Sequence, residues 1–235
     1  MENRGKNTVI VLAGGSGSRM KSTVKKQYLI MQGRLVLCHS LEVFQNHPQI
    51  DEIVLVCGKG ETEQCRHEIV EKYGFSKVTQ ITEGGKERYH SVYEGLKKIT
   101  DCQYVLIHDG ARPFVNAEIL DRIFQELPKS RACVVGMPVK DTIKMSDSAG
   151  YVECTLPREK LWTIQTPQSF EYALIREAYD RLMKEDNPTV KITDDAMVAE
   201  YILKLPVKLV EGSYDNIKIT TPEDLLLAEL ILGSE

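Results

Sequence analysis

Thr8-Val-Ile-Val-Leu-Ala13 is an apolar, β-branched run that stops at Gly14-Gly15-Ser16-Gly17. Such a run reads as a strand buried on both faces, and the glycines after it read as a tight turn. The same punctuation recurs along the chain. Ile53 to Cys57, Val78 to Thr82, Tyr104 to His108 and Ala132 to Met137 are further strand-like runs. Between them lie helical patterns. Leu35 to Asn46 carries apolar residues at 35, 37, 38, 41 and 44, and Glu61 to Tyr73 is closed by Gly74. Ser91 to Ile99 and Ala117 to Leu127 complete the set. These alternations predict an α/β fold, a mostly parallel sheet with helices on both faces and right-handed crossovers. Ligands bind such sheets beyond the carboxyl ends of the strands. The segments after Ala13, Thr82, His108 and Met137 are therefore expected to surround the site.

The rhythm breaks from Val139 to Gln168. Asp141-Thr-Ile-Lys-Met145 and Tyr151-Val-Glu-Cys-Thr155 alternate as strands around Ser146-Asp-Ser-Ala-Gly150. That pattern predicts a β-hairpin arm over 139–168, projecting from a single domain of residues 1–235. An isolated two-stranded hairpin is marginal in water, and Ile143, Met145, Val152 and Leu156 need a surface to bury against. A two-fold partner is the commonest source of one, so a homodimer through the arm is expected. Beyond it come a helix from Tyr172 to Lys184, a shorter helix opening at Thr193 and a strand near Lys208 to Glu211. A last helix opens at Thr221-Pro-Glu-Asp224, with threonine as N-cap and proline at the first helical position. Asp194 and Asp195 read as the acidic first turn of a helix capped by Thr193.

The 235 residues are 42% hydrophobic and 27% charged, with a formal net charge of -4. That composition suits a globular domain and gives no global attraction to nucleic acid or an anionic membrane. No signal-peptide core and no membrane-length apolar run is present, so a cytoplasmic location is expected. The six cysteines form no C-x-x-C pair and the five histidines no H-E-x-x-H pattern. Reduced, mostly buried thiols are the simplest reading.

Backbone amides of Ala13, Gly14, Gly15, Ser16 and Gly17 can cradle an anion, because glycine lets the chain approach closely. A dinucleotide fingerprint would need glycine where Met20 stands. A P-loop would need Gly-Lys-Ser/Thr where Ser18-Arg19-Met20 stands. Arg19 and Lys26 could neutralise a triphosphate, whose α-phosphorus must accept a nucleophile. A plain turn with a solvated basic patch (Lys21, Lys25, Lys26) is the simpler alternative. Asp109 ends the fourth strand and could hold Mg²⁺ through a hard oxygen ligand, or serve as a turn residue. Arg112, three residues on, has the fork that suits a phosphate. Gly85 stands between a strand and a helix, where a plain turn followed by a helical Ser91 is the simpler alternative.

Leu12-Ala-Gly-Gly-Ser-Gly-Ser-Arg-Met20 with Lys26-Gln-Tyr-Leu29 resembles the signature of the sugar nucleotidyltransferases. Within them it is similar to the 2-C-methyl-D-erythritol 4-phosphate cytidylyltransferases of the non-mevalonate isoprenoid pathway. The resemblance takes in Gly84-Gly-Lys-Glu-Arg88 with Ser91-Val92, His108-Asp-Gly-Ala-Arg-Pro-Phe114 and Val139-Lys-Asp-Thr-Ile-Lys144. It continues through Thr166-Pro-Gln168, Thr193-Asp-Asp-Ala196 and Asp215-Asn-Ile-Lys-Ile-Thr220. It implies a Rossmann-like sheet and transfer of a cytidylyl group from CTP to a polyol phosphate, here 2-C-methyl-D-erythritol 4-phosphate. It places Arg19, Lys26 and Lys218 at the reacting phosphates and Gly85 and Ser91 at cytosine and ribose. The acceptor would meet Arg112, Thr142, Arg158 and Thr166, with Thr142 and Arg158 reaching in from a second subunit. The family usually carries proline just before the lysine of Lys26-Gln-Tyr28, and this chain has Lys25.

Three rivals fit less well. The ribitol 5-phosphate enzymes share the chemistry but tend to lack the Asp-Gly-Ala-Arg-Pro and Thr-Asp-Asp-Ala forms. A nicotinamide-dependent oxidoreductase would need the third glycine and an acid after the second strand, where Cys57-Gly-Lys-Gly60 stands. A non-catalytic nucleotide-binding relic would be expected to have lost Arg19, Lys26 or Asp109.

Overall fold

The computed structural model describes residues 4–15, 25–185 and 190–233. In chain order the elements are β1 (Asn7–Ala13), β2 (Ile30–Met31), β3 (Arg34–Leu35), α1 (Val36–Asn46), β4 (Glu52–Cys57), α2 (Thr62–Cys65), β5 (Val78–Glu83) and α3 (Arg88–Leu96). They continue with β6 (Tyr104–Asp109), α4 (Ala117–Ser130), β7 (Ala132–Pro138), β8 (Lys144–Ser146), β9 (Val152–Thr155), β10 (Trp162–Glu171), α5 (Tyr172–Leu182), α6 (Asp195–Leu203), β11 (Lys208–Glu211) and α7 (Pro222–Gly233). The expected alternation is present. Helix α2 runs on through a π-helical turn, Arg66–Glu71, to Tyr73, and Gly74 with φ +70 ends it.

Seven strands form the central sheet in the order β11-β7-β10-β6-β1-β4-β5. All neighbours pair parallel except β10, which runs antiparallel between β6 and β7. β1 is apolar throughout because both its faces are covered. Val9 and Val11 pack with Leu41 and Phe44 of α1 and Ile119 and Ile123 of α4. Ile10 faces the other way, against Val92 and Leu96 of α3 and Tyr179 of α5. The core is thus two apolar layers separated by one sheet.

β10 departs from the expected pattern. Its sequence is polar and contains Pro167, and its pairing with β7 is irregular between Ile164 and Gln168. Such a segment reads as loop, since proline cannot donate to a ladder. It is a central strand all the same, with Gln165, Thr166, Gln168 and Ser169 buried. The projecting arm therefore spans residues 139–161, and residues 162–168 belong to the sheet. A second difference lies at α6. Asp194, not Thr193, is the N-cap, its Oδ1 accepting from the Met197 amide at 2.9 Å.

The arm is an antiparallel pair, β8 and β9, with every strand residue exposed. Asp147 Oδ1 accepts from the Ala149 and Tyr151 amides, both at 2.9 Å, which fixes the tip. Tyr151 is 75% exposed and Val152 61%. Among the described residues, no helix is long and apolar enough to cross a membrane.

Register sets the carboxyl edge. Ala13 pairs with Cys57, Cys57 with Glu83, and Leu12 with Asp109, so four strands end at one level. The turns after them are stitched together. Gly84 N–H donates to Cys57 O at 2.8 Å, and Gly110 N–H to Leu12 O at 2.9 Å. A Cβ on Gly14 would lie 2.9 Å from Cys57 O, so only glycine lets that turn lie against β4.

Asn116 opens α4, its side chain accepting from Ile119 N–H at 3.0 Å. Replacing it with alanine is expected to lower stability by about 1 kcal/mol in urea unfolding. Turnover should be unchanged, because the Asn116 side chain is spent on the first turn of its own helix.

Candidate active site

Asp109 closes β6 and is nearly buried. Its Oδ2 accepts from Lys218 Nζ at 2.5 Å and its Oδ1 from Arg88 Nε at 3.1 Å. Burial works against its charge, but the Arg88 and Lys218 cations hold the carboxyl well below the usual carboxylate range. Lys218 reaches it from far along the chain because the segment 213–219 is sewn to the sheet. Ile219 N–H donates to Ala111 O at 2.8 Å. Asn216, fully buried, donates to Thr166 O at 3.0 Å and Gln165 Oε1 at 3.2 Å.

Arg88 stands at the start of α3 and serves two carboxylates. Its Nη1 and Nη2 donate to Asp195 Oδ1 and Oδ2 at 2.9 and 2.8 Å, a bidentate fork. Asp195 is fully buried and also accepts from Tyr179 OH at 2.6 Å. Gln168 Oε1 takes the Asp195 and Ala196 amides at 2.8 and 2.9 Å, and its Nε2 donates to Asp194 at 3.0 Å. Burial, with the Asp195 charge beside it, pushes the Tyr179 hydroxyl well above its ordinary range, so it stays a donor. A chain of fixed partners thus runs Tyr179, Asp195, Arg88, Asp109, Lys218. Asp195 is therefore more than an acidic first-turn residue.

The backbone of Asp109 is fixed separately. Its N–H donates to Thr166 Oγ1 at 3.1 Å, and Thr166 Oγ1 lies 3.0 Å from His108 Nδ1. His108 Nε2 lies 3.0 Å from Arg112 O, a carbonyl that can only accept. Nε2 therefore carries the proton, Nδ1 accepts, and the Thr166 hydroxyl proton goes to His108. Burial pushes the His108 imidazole down to about 4, which keeps it in this neutral form. Thr166, expected at the acceptor, thus has its hydroxyl engaged within the protein. Arg112 is anchored through Nη1 to Asn216 O at 2.7 Å and Nη2 to Ile164 O at 3.3 Å.

On the other side of Asp109 lies the glycine turn. Gln27, buried after the turn, donates to Ala13 O at 2.5 Å and Gly15 O at 3.3 Å and so fixes its first limb. Lys26, Gly15, Leu12, Asp109 and Lys218 line a cleft of about 90 Å³. A larger cleft of about 320 Å³ is lined by Arg88, Asp109, Arg112, Thr166, Asp194 and Lys218, among others. Asp109 and Lys218 border both. Gly85 and Ser91 meet at the neighbouring edge, where Gly85 N–H donates to Ser91 Oγ at 3.1 Å. A Cβ on Gly84 would come within 2.6 Å of that same oxygen.

Lys26, Asp109, Arg112, Thr166 and Lys218 are therefore brought together, with Ala13 and Gly14 ending and following β1 above them. Ser16, Gly17 and Arg19 lie outside the described residues. Thr142 and Arg158 sit on the exposed arm and line neither cleft of their own chain. Arg158 Nη1 donates to Lys140 O at 3.0 Å. Sequence reasoning gave no role to Arg88, Gln27, Gln168 or Tyr179, and to Asp195 only that of an acidic first-turn residue. Arg88 and Asp195 do fall inside the glycine-pair and Thr-Asp-Asp motifs, which was the available signal.

Among the described residues, no cluster of three or more His, Cys, Asp or Glu could cage a metal ion. Asp109 is a single hard oxygen donor beside a phosphate-sized cleft. That fits Mg²⁺, which commonly keeps waters and takes phosphate oxygens as its other ligands.

The model of the 2-C-methyl-D-erythritol 4-phosphate cytidylyltransferase family matches residues 7–234. The chain is 48% identical over 227 residues to the 2-C-methyl-D-erythritol 4-phosphate cytidylyltransferase of Lachnoclostridium phytofermentans, covering 97% of this chain and 96% of that one. It is 48% identical over 233 residues to the protein of that name from Alkaliphilus oremlandii, covering 99% and 97%. The solved structure of 4-diphosphocytidyl-2C-methyl-D-erythritol synthase from Anaerococcus prevotii superposes with a TM-score of 0.85 at 36% identity, covering 97% of this chain and 96% of that one.

Removing Asp195 would leave Arg88 facing a buried, uncompensated position. Asp195→Ala is expected to cost about 3 kcal/mol in urea unfolding, whereas Tyr179→Phe, which deletes one hydrogen bond, costs about 1 kcal/mol. Equal losses in the two variants would contradict the bidentate pairing as the main contribution.

Proposed function

The chain belongs to the 2-C-methyl-D-erythritol 4-phosphate cytidylyltransferase family, and from that premise we propose how its residues divide the work between two substrates. The reaction transfers the cytidylyl group of CTP to 2-C-methyl-D-erythritol 4-phosphate, giving the CDP-linked methylerythritol and pyrophosphate for isoprenoid precursor synthesis. One observation carries the division: two clefts meet across the Asp109–Lys218 pair, one beneath the glycine turn and one beside Arg112.

The CTP phosphates lie in the smaller cleft. Backbone amides of Ala13, Gly14 and Gly15 cradle them, joined on the strength of the family resemblance by Ser16 and Gly17, and Lys26 neutralises their charge. Arg19 joins this cation set on the strength of the family resemblance. Gly85 and Ser91 face the cytosine and ribose, where a backbone amide and a hydroxyl can read a small base. The acceptor phosphate enters the larger cleft against Arg112. Its oxygen attacks the α-phosphorus in line, a new P–O bond forms, and the bond to the β-phosphate oxygen breaks to release pyrophosphate. The attacking group is already anionic, so no protein nucleophile or base is required. Lys218, at the junction, holds the charge that builds on the α-phosphoryl oxygens. Asp109 would hold Mg²⁺, which when bound offsets triphosphate charge and orients the leaving group. Thr166 lines the same cleft and meets the acceptor there, while its hydroxyl also holds the Asp109 amide.

Thr142 and Arg158 act on the acceptor of a second subunit. Support comes from the arm itself, whose exposed Met145, Tyr151 and Val152 offer an apolar surface that lines neither of the chain's own clefts. We read the chain as one domain with this arm as its dimerisation element. Its partners are the two substrates and a second copy, and no charged surface on the scale of a nucleic acid or membrane is invoked. The six cysteines are all free, which suits the reducing cytoplasm.

Pyrophosphate release should require CTP, the methylerythritol phosphate and a divalent cation, and Lys26→Ala is expected to lose roughly a hundredfold or more in kcat/KM with the fold intact. Full turnover in excess EDTA would remove the metal assignment, and near-normal kcat/KM in Lys26→Ala the role of that lysine. Ribitol 5-phosphate serves as the competing acceptor in the same assay.

The shared site is tested by complementation. Lys26→Ala and Arg158→Ala subunits are mixed and allowed to exchange. A heterodimer then carries both defects in one site and neither in the other, so activity returns in part if Arg158 acts across subunits. No recovery after demonstrated exchange, or a monomer in sedimentation, would overturn the shared site.

A further inference from the structure

Lys25, Lys26 and Gln27 are consecutive, yet their side chains have different destinations. Lys26 lines the cleft with Asp109 and Lys218, and Gln27 holds the glycine turn. Lys25 pairs with Glu61, which stands between β4 and α2. The Glu61 carboxylate also accepts from Tyr28 OH at 3.0 Å and from Gly58 N–H at 3.1 Å. It therefore grips both ends of the single helical turn Lys26–Tyr28, whose closing bond runs from Tyr28 N–H to Lys25 O at 2.9 Å.

The grip is partly sheltered. The Glu61 side chain is 16% exposed, and burial works against its charge while Lys25 and Tyr28 hold it below the ordinary carboxylate range. A Cβ on Gly58 would lie 2.5 Å from Glu61 Oε2 and 2.6 Å from Lys25 Nζ, so the pair is seated directly against the turn that ends β4. Glu61 itself lines neither substrate cleft. It borders a separate cavity of about 370 Å³ with Lys25, Tyr28 and Gln64, on the outer side of this segment.

We propose that Glu61 is a positioning residue for Lys26: by gripping Lys25 and Tyr28 it fixes the turn that presents Lys26 to the CTP phosphates. The proposal rests on the reading of Lys26 as a phosphate-binding cation. Its physical basis is that transition-state charge is stabilised only by groups already in place, and a lysine on a loose turn must be ordered during the reaction.

The test uses the full-length enzyme with CTP, 2-C-methyl-D-erythritol 4-phosphate and Mg²⁺. Glu61→Gln and Lys25→Met are measured singly, together, and with Lys26→Ala. Each single variant is expected to lower kcat about tenfold and raise KM for CTP, with KM for the acceptor unchanged. The double variant should be no worse than the poorer single, because both break one link. Glu61→Gln should add nothing to Lys26→Ala. Wild-type kcat in both single variants, beside an inactive Lys26→Ala, overturns the proposal, as do effects that multiply. Lys25→Met keeps the test decisive if Glu61→Gln does not fold. An active Lys26→Ala would instead mark failure of the phosphate reading itself.

Discussion

Arg88 sits between two carboxylates, and the rest of the candidate site depends on that position. Asp195 is fully buried, so its charge needs a cation and further donors, and Arg88, Tyr179 and two backbone amides surround it. Once the guanidinium is clamped on Asp195, its Nε has little freedom and can only meet Asp109. Asp109 in turn fixes Lys218. Charge placement around Asp109 and Lys218 is thus inherited from a buried ion pair one layer deeper, between the start of α3 and the start of α6.

This arrangement is possible because β10 enters the sheet antiparallel between β6 and β7. Its buried polar side chains are spent on the protein. Thr166 takes the Asp109 amide, Gln165 and Thr166 bind Asn216, and Gln168 anchors α6. A polar strand in the middle of an apolar sheet would be costly if those groups lacked partners. With partners it becomes the inner wall of the larger cleft.

The cations of the candidate site oppose a chain that is acidic overall, with a net charge of -4. Lys26, Arg112 and Lys218 collect at one edge, each tied to a different part of the fold. Lys218 comes in with the segment that Asn216 sews to β10, and Arg112 is anchored to backbone carbonyls. Lys26 is carried on a turn held by Glu61 from one side and Gln27 from the other. The positive charge of the site is therefore local, built by separate anchors.

Much of the fold was legible in the sequence. Buried parallel strands such as β1 are apolar throughout, helices carry their spacing, and Gly74 and Pro222 mark helix ends as their backbone chemistry requires. The glycine run, Lys26 and Asp109 could be singled out because a phosphate site needs close backbone approach, cations and a hard oxygen donor, whereas Lys218 was placed there only by the family resemblance. β10 was not legible, since a strand rich in glutamine and threonine with an internal proline has no apolar period to detect. Nor was the burial of Asp195, or the engagement of the Thr166 hydroxyl by His108. Those depend on partners 16 to 107 residues away, such as Tyr179 and Arg88 for Asp195. Composition and periodicity record what a residue prefers locally. Which polar group it finally meets is decided only when the sheet brings distant strands into register.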